Sequence, residues 1–281
     1  MVKNAYTLIT GASEGLGKAF ALECASRQMN LVLVSLPNSG LFELAHFIRR
    51  NYQVSVHAFE KDLSRSSGCY DLFLEIENEK LQLDVLINNA GVGSTMEFVE
   101  GSPEFYEKQI GVNVLAVTVI SHLFIKKLEG LTPAYILNVG SMASFCCLPK
   151  KQVYGASKSY IYYFSKSLGK ELRNKGIHVS VLCPGGINTN LSVTLMNKNA
   201  SWTSRLSIMN PEEVAPIALN GLFQKKKVII PGGLNRFFLL LNKIVPTSIK
   251  TLMTNAAMRK LNPDKRFAAY LSQPDSIKPA A

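Results

Sequence analysis

The sequence predicts an α/β chain: a doubly wound, seven-stranded parallel sheet flanked by helices, with a small helical extension at its C-terminal end. Three observations carry that expectation. Short β-rich runs alternate with helix-length stretches as far as residue 231. Several of those runs are apolar almost throughout, as strands buried on both faces must be. A glycine-rich turn follows the first run and opens the first helix, the arrangement that starts open parallel sheets.

Taken in order, the strands are "AYTLIT" (5–10), "LVLVS" (31–35), "VSVHAF" (54–59), "DVLIN" (84–88), "AYILNVG" (134–140), "HVSVLC" (178–183) and "KVIIP" (227–231). Helical patterns fall between them at 15–28, 40–51, 65–80, 103–129, 152–175 and 211–223. Two starts are marked. Pro103 follows Ser102 and Pro211 follows Asn210, a capping residue with proline at the first helical position. Residues 1–233 read as one dinucleotide-binding and catalytic domain, and 234–281 as a basic, apolar helical extension.

The bulk numbers narrow the class. At 281 residues, 47% hydrophobic and 18% charged, the chain has a globular composition with a sizeable core. "AYTLIT" follows Lys3 and Asn4 at once, so no secretory leader is expected, and no uninterrupted apolar run approaches the ~20 residues of a membrane span. Five cysteines without a CxxC pair suit a reduced, cytoplasmic setting. The four histidines have no metal-ligand spacing, so no metal is expected. Net charge is +11, but residues from Leu222 onward hold 11 Lys and Arg against two acids, a net +9, leaving +2 for residues 1–221. A near-neutral body with a basic tail argues against nucleic acid as the partner and for a tail with its own task.

Two local patterns suggest chemistry. In "TLITGASEGLGKAFA", Gly11, Gly15 and Gly17 punctuate the passage from strand to helix, where unpaired N–H groups and the helix dipole favour a phosphate. The turn is not a P-loop, because Lys18 is followed by Ala19. In "VYGASKSYIYYFSKS", Tyr154 and Lys158 are four residues apart and share a helix face. An ammonium beside a phenol lowers a pKa that is ordinarily about 10, which is what an acid/base group needs near neutral pH.

Thr10-Gly11-x-x-x-Gly15-x-Gly17, "NNAG" at 88–91, Asn113 in "IGVNVLA", Ser141 thirteen residues before Tyr154, Tyr154-Gly-Ala-Ser-Lys158 and "PGGINT" at 184–189 stand in order along the chain. In that order they resemble the short-chain dehydrogenase/reductase family, over about residues 5–231. The resemblance implies a Rossmann-type sheet and hydride transfer between a nicotinamide and a carbonyl or carbinol. It implies Tyr154 as the acid/base and Lys158 lowering its pKa and gripping the nicotinamide ribose. It also implies Ser141 holding the substrate oxygen, with Asn113 bending its helix and keeping a water in line with Lys158. Ser144 competes with Ser141 but sits ten residues before Tyr154. Tyr160, Tyr162 and Tyr163 are expected to pack or to face a partner subunit, since this helix forms the dimer contact in the family. A homodimer or homotetramer is therefore expected.

Cofactor positions carry over from the same resemblance. Gly11, Ser13, Glu14, Gly15, Leu16 and Gly17 line the pyrophosphate turn. Asp62 and Leu63 meet the adenine, and Asn89, Ala90 and Gly91 pass under the adenosine ribose. Pro184, Gly185 and Thr189 cradle the nicotinamide end, joined there by Tyr154 and Lys158. For the choice between NAD and NADP, Leu36 stands where NADP users of the family place Arg and NAD users Asp. Glu14 stands where NADP users often carry a cation, and a carboxylate repels a 2′-phosphate. The balance falls slightly to NAD, with Asn38 and Ser39 able to bond either ribose.

Leu191, Leu195, Met196, Trp202 and Leu206, with Met142, Phe145, Cys146 and Cys147, suggest an apolar substrate pocket. A lipid-like ketone or alcohol suits it: 3-oxoacyl, steroid or sphingoid. Similar tails occur in relatives linked to acyl-lipid metabolism. Leu234 to Val245 is apolar with Arg236 and Lys243 interspersed, Pro246 breaks it, and a second basic, apolar segment follows, ending in a loose stretch at 268–281. Such a pair can lie at a membrane surface, cover the pocket or form a subunit contact. Two other readings stand beside the enzyme: a non-catalytic NAD(P) sensor and a lipid-surface scaffold.

Overall fold

The computed structural model describes residues 4–93, 95–128, 132–189, 194 and 207–244. Seven parallel strands form one sheet in the order β3-β2-β1-β4-β5-β6-β7. They are β1 (Tyr6–Thr10), β2 (Asn30–Ser35), β3 (Val56–Glu60), β4 (Leu83–Asn88), β5 (Ala134–Val139), β6 (Ile177–Leu182) and β7 (Val228–Ile229). The chain winds outward from β1 in one direction and from β4 in the other. The connections leaving the carboxyl ends of the paired β1 and β4 therefore run to opposite faces and leave a crevice, where open α/β sheets bind ligands.

The continuous apolar runs are explained by burial on both faces. Every residue of β4 is buried, as are four of five in β1. One face is covered by α1 (Gly15–Ser26), α2 (Leu41–Tyr52) and α7 (Pro211–Phe223), which contribute Phe20, Ile48 and Leu219 to a common core. The other is covered by α3 (Ser66–Asn78), α5 (Val117–Lys127) and α6 (Gln152–Glu171), with Ile76, Ile120 and Phe124 at its centre. Both predicted caps form. Ser102 accepts a hydrogen bond from the Phe105 amide at the start of α4 (Pro103–Ile110), and Asn210 makes a reciprocal capping box with Glu213.

Two expectations change, and one helical stretch bears on the reading of membrane spans. The pattern at 103–129 is divided: α4 and α5 are joined by a π-helical turn, Gly111–Ala116. The predicted strand at 227–231 shortens to two residues, because Pro231 has no N–H to donate and Gly232 turns the chain at φ +82°. The continuous helical stretch Pro103–Lys127 has the length and composition of a membrane span, although no unbroken apolar run marks it. Half of its most apolar part is buried within the protein, and Val117, Ile120 and Phe124 pack into the cores beneath the sheet, so its apolarity is that of a core helix.

The last described element, α8 (Gly233–Ile244), lies where the extension was expected. Four of its apolar side chains, Phe237, Phe238, Leu240 and Leu241, are exposed, Leu234 and Leu239 are half-buried, and Asn235 is buried. Leu191, Leu195, Met196, Trp202 and Leu206, and the chain from Val245 on, with Pro246, the second basic segment and 268–281, lie outside the described residues.

Candidate active site

The glycine turn is built by close backbone approach. Gly11 and Gly15 have φ of +65° and +53°, and a Cβ on Gly17 would fall 1.9 Å from the Gly11 carbonyl oxygen. Asn89 holds this turn from the neighbouring strand: its Nδ2 donates to the carbonyls of Thr10 and Gly11 at 3.0 and 3.1 Å. The Thr10 hydroxyl accepts from the amides of Asn89 and Ala90, both at 3.0 Å. Asn89, expected to pass under the adenosine ribose with Ala90 and Gly91, thus braces the turn with its side chain. Thr10, part of the motif but given no task, joins β1 to β4.

The turn fits a dinucleotide's pyrophosphate. The first residue of α1 is Gly15, its Glu14 N-cap makes no side-chain bond to the helix amides, and its first turn contains no acid. The helix N-terminus is thus left open to an anion. Leu16 is buried behind the turn, and Ser13 Oγ is hydrogen-bonded to Ser35 Oγ at 2.7 Å. Across the crevice, Thr189 closes on Gly15, where an added Cβ would lie 2.9 Å from the Thr189 Cβ. Ser13, Glu14, Gly15, Asn188 and Thr189 share a cleft of about 490 Å³ with the N-terminal end of α7.

Towards the adenosine side, Asp62 accepts from the Ser64 amide at 2.9 Å and Leu63 is buried at the end of β3. Leu36 is exposed after β2. Asn38 has a positive φ of 58°, and its amide donates to the Glu60 carboxylate at 2.9 Å. Ser39 Oγ donates to Ser35 Oγ at 2.9 Å. Ser35 and Glu60, which no sequence pattern singled out, therefore shape the loop that follows β2.

At the other end of the crevice the four predicted catalytic residues converge. A Cβ on Gly91 would lie 3.3 Å from Asn113 Oδ1 and 3.4 Å from Lys158 Nζ, and one on Gly93 would lie 3.7 Å from Tyr154 Cε2. Asn113 lies within the π-turn. Its Oδ1 accepts from the Val92 amide at 2.8 Å, and its Nδ2 donates to the Val92 carbonyl at 2.9 Å and to Ser157 Oγ at 3.0 Å. Ser157 donates onward to the Tyr154 carbonyl at 2.8 Å. Ser157 was missed by sequence reasoning, although its place inside Tyr-x-x-x-Lys is the signal that could have found it.

Ser141 caps the short 3-10 turn Met142–Phe145, its Oγ accepting from the Ala143 amide at 3.1 Å. Its backbone is fixed on both sides: Gly140 N donates to Leu182 O at 2.7 Å and Met142 N to Pro184 O at 2.9 Å. These bonds also bring Pro184 and Gly185 to the site. Ser144, the rival of Ser141, donates its Oγ to the Lys158 carbonyl at 2.8 Å.

The electrostatics differ from the sequence expectation. Tyr154 is pushed above its ordinary value of 10.0 by burial, and a hydrogen bond with the Ser141 side chain draws it back. The Lys158 ammonium is itself buried, its pKa held down to about 8 by desolvation, and Nζ donates to the Val139 carbonyl at 2.8 Å, 5.9 Å from the centre of the Tyr154 ring. Cys183 lies behind Lys158; burial pushes its thiol up to about 12, with a Ser141 backbone bond and Lys158 pulling the other way. Such a thiol is inert near neutral pH. Around the helix, Tyr160 bonds Thr118 at 2.8 Å, Tyr162 packs edge-on against Phe145, and Tyr163 is two-thirds exposed.

A family model described as short chain dehydrogenase matches residues 5–200. The 17-beta-hydroxysteroid dehydrogenase type 3 of Mus musculus is 34% identical over 196 residues, 69% of this chain and 63% of that protein. The very-long-chain 3-oxoacyl-CoA reductase-B of Danio rerio is 31% identical over 193 residues, 66% of this chain and 61% of that protein. The alignments thus span about three-fifths of the length of these two curated relatives. Among solved structures, a short-chain dehydrogenase from Sphingobium yanoikuyae in complex with NADPH superposes with a TM-score of 0.74 at 25% identity, covering 98% of both chains.

Proposed function

The chain belongs to the short-chain dehydrogenase family, and on that premise we propose that it transfers a hydride between a nicotinamide dinucleotide and a hydrophobic ketone or secondary alcohol. The convergence of Ser141, Tyr154, Lys158 and Asn113 at one end of a phosphate-receptive crevice carries the proposal. The dinucleotide, when bound along the turn from Gly11 to Gly17, supplies the hydride chemistry. The chain's own residues manage the oxygen. Ser141 holds the substrate oxygen by a hydrogen bond, and Tyr154 donates its phenolic proton as charge develops there. The burial that raises the Tyr154 pKa keeps the phenol protonated near neutral pH, which suits reduction of a ketone. Lys158 holds positive charge beside the phenol, and Asn113 and Ser157 fix the helix that carries both.

NAD or NADP fits the crevice. Glu14 and the absence of a cation at Leu36 favour NAD, while NADPH in the Sphingobium yanoikuyae structure favours the other choice. A 3-oxoacyl or steroid ketone is the substrate class, supported by Met142 and Phe145 beside Ser141 and by the names of the relatives. A homo-oligomer through α6 accounts for the exposure of Tyr160 and Tyr163. A peripheral contact with an anionic lipid surface accounts for the outward Phe237, Phe238, Leu240 and Leu241 together with the net +9 after Leu222. The test is a fluorescence titration of the purified protein with NADH and NADPH, followed by addition of long-chain 3-oxoacyl and steroid ketones. Tight binding of one nucleotide and its oxidation by a ketone is the expected result. Failure of both nucleotides to bind would overturn the proposal.

A further inference from the structure

The C-terminal helix is joined to the candidate active site by a buried amide that the proposed chemistry does not use. Asn235 is 3% exposed. Its Nδ2 donates to the Pro231 carbonyl at 2.9 Å and to the Ser207 carbonyl at 3.3 Å. Its amide also lies directly over Gly185: a Cβ there would fall 2.7 Å from Asn235 Oδ1 and 2.8 Å from Nδ2.

Three segments meet at this amide. The first is the turn that begins at Pro184 and Gly185. The second is the segment Ser207–Asn210, tied to the same turn where Met209 N donates to Gly186 O at 3.0 Å and Asn188 N to Met209 O at 3.1 Å. The third is the start of α8, which also touches the 3-10 turn after Ser141. On an amphipathic helix the residue turned to the body is ordinarily apolar. Here the buried position within 233–241 is an asparagine, while Leu234 and Leu239 are only half-buried and Phe237, Phe238, Leu240 and Leu241 are exposed. Burying a side-chain amide is unfavourable unless it is bonded, so one kept at this junction specifies geometry that an apolar residue would leave loose.

We infer that Asn235 is a positioning residue. It sets the Pro184–Gly185 turn for the nicotinamide end of the cofactor and makes the placement of that turn depend on α8. The inference rests on the assignment of Pro184 and Gly185 to the cofactor in the proposed function.

The test is a double-mutant cycle on the full-length protein, read by fluorescence titration with NADPH and NADH and by thermal unfolding of each variant. Asn235→Ala should weaken binding of the preferred nucleotide about tenfold, the scale of a buried polar group losing its partner. Gly185→Ala should weaken it comparably, because its methyl meets the Asn235 amide. The Gly185→Ala/Asn235→Ala double variant should bind more tightly than Gly185→Ala alone, since the methyl then occupies the vacated space. Asn235→Ser, which keeps a donor for the Pro231 carbonyl and also makes room, is the second background should Asn235→Ala fail to fold. A merely structural role would lower the melting temperature and leave nucleotide affinity unchanged in folded variants, and that result, or losses that simply add, would overturn the inference. Wild-type protein that binds neither nucleotide would overturn the underlying assignment instead.

Discussion

Asn113 donates to Ser157 Oγ at 3.0 Å, and through that bond the π-turn between α4 and α5 is fastened to the helix that carries Tyr154 and Lys158. π-Turns interrupt the regular helical ladder and are found at functional sites. Here the interruption places a buried amide where it can bond the Val92 backbone and Ser157 together. Asn113→Ala should therefore destabilise the protein by about 1–3 kcal/mol, the scale for a buried polar partner left unsatisfied. Urea unfolding would measure it, and turnover should fall as well because Tyr154 loses its support. Asn113→Ala with wild-type stability would show that the π-turn is held by packing alone.

The glycine turn predicts a sharper loss. A methyl group on Gly17 would sit 1.9 Å from the Gly11 carbonyl oxygen and 2.6 Å from Asn89 Nδ2. The first is backbone, so the turn must open. Gly17→Ala should cost about 1–3 kcal/mol of stability, as overpacking does, and should reduce nucleotide affinity more than about tenfold. Differential scanning fluorimetry and nucleotide titration would read the two effects separately.

Cofactor choice is open to direct inversion. Glu14 lies on the turn and Leu36 is exposed after β2, so replacing either by arginine adds a cation where a 2′-phosphate would be bound without burying it. The Glu14→Arg/Leu36→Arg double variant should shift the ratio of NADPH to NADH affinity towards NADPH by about tenfold at low salt, and by less at high salt. An unchanged ratio would place the 2′ position elsewhere, with Ser35, Ser39 and Asn38 the residues to test next.

Lys158 predicts a pH dependence of stability. Its pKa falls from 10.5 to about 8 on folding because burial disfavours the ammonium. Below about pH 8 both folded and unfolded chains hold the proton, and the folded state bears the full desolvation penalty. Between about 8 and 10.5 the unfolded chain keeps a proton that the folded protein has released, so this group's contribution becomes more favourable as pH rises. Lys158→Met removes the titration. The melting temperature of the cofactor-free variant relative to wild type should therefore be highest below pH 8, and its advantage should shrink towards pH 10. An advantage independent of pH would mean that Lys158 keeps its proton throughout.

Much of this arrangement is legible in the sequence, for physical reasons. Strands buried on both faces write continuous apolar runs, so β1, β2 and β4 stand out, and Ser102–Pro103 and Asn210–Pro211 announce helix starts because few other residue pairs suit those positions. The motif spacings bring Ser141, Tyr154, Lys158 and Asn113 to one crevice because each lies at or just beyond a strand end or on a helix facing it. What the spacing does not contain is desolvation. The Tyr154–Lys158 pair suggests a lowered phenol pKa, whereas burial raises it and turns Ser141 into the group that opposes the rise. Tertiary partners are hidden for a similar reason. Ser157 and Asn235 acquire their tasks from residues far along the chain, and the apolar pattern of α8 does not tell that Asn235 is buried while Phe237, Phe238, Leu240 and Leu241 are exposed.

The most direct test of the central claim is the comparison of Tyr154→Phe with wild type in ketone-dependent oxidation of the preferred nucleotide, with cofactor binding measured on the same preparations. The substitution removes the phenolic oxygen and leaves the ring that borders Gly93. Turnover should fall by about a hundredfold or more, the contribution of a positioned general acid, while nucleotide affinity stays at the wild-type value. Turnover at the wild-type rate would contradict the assignment of Tyr154 as the proton donor and, with it, the account of how this site works.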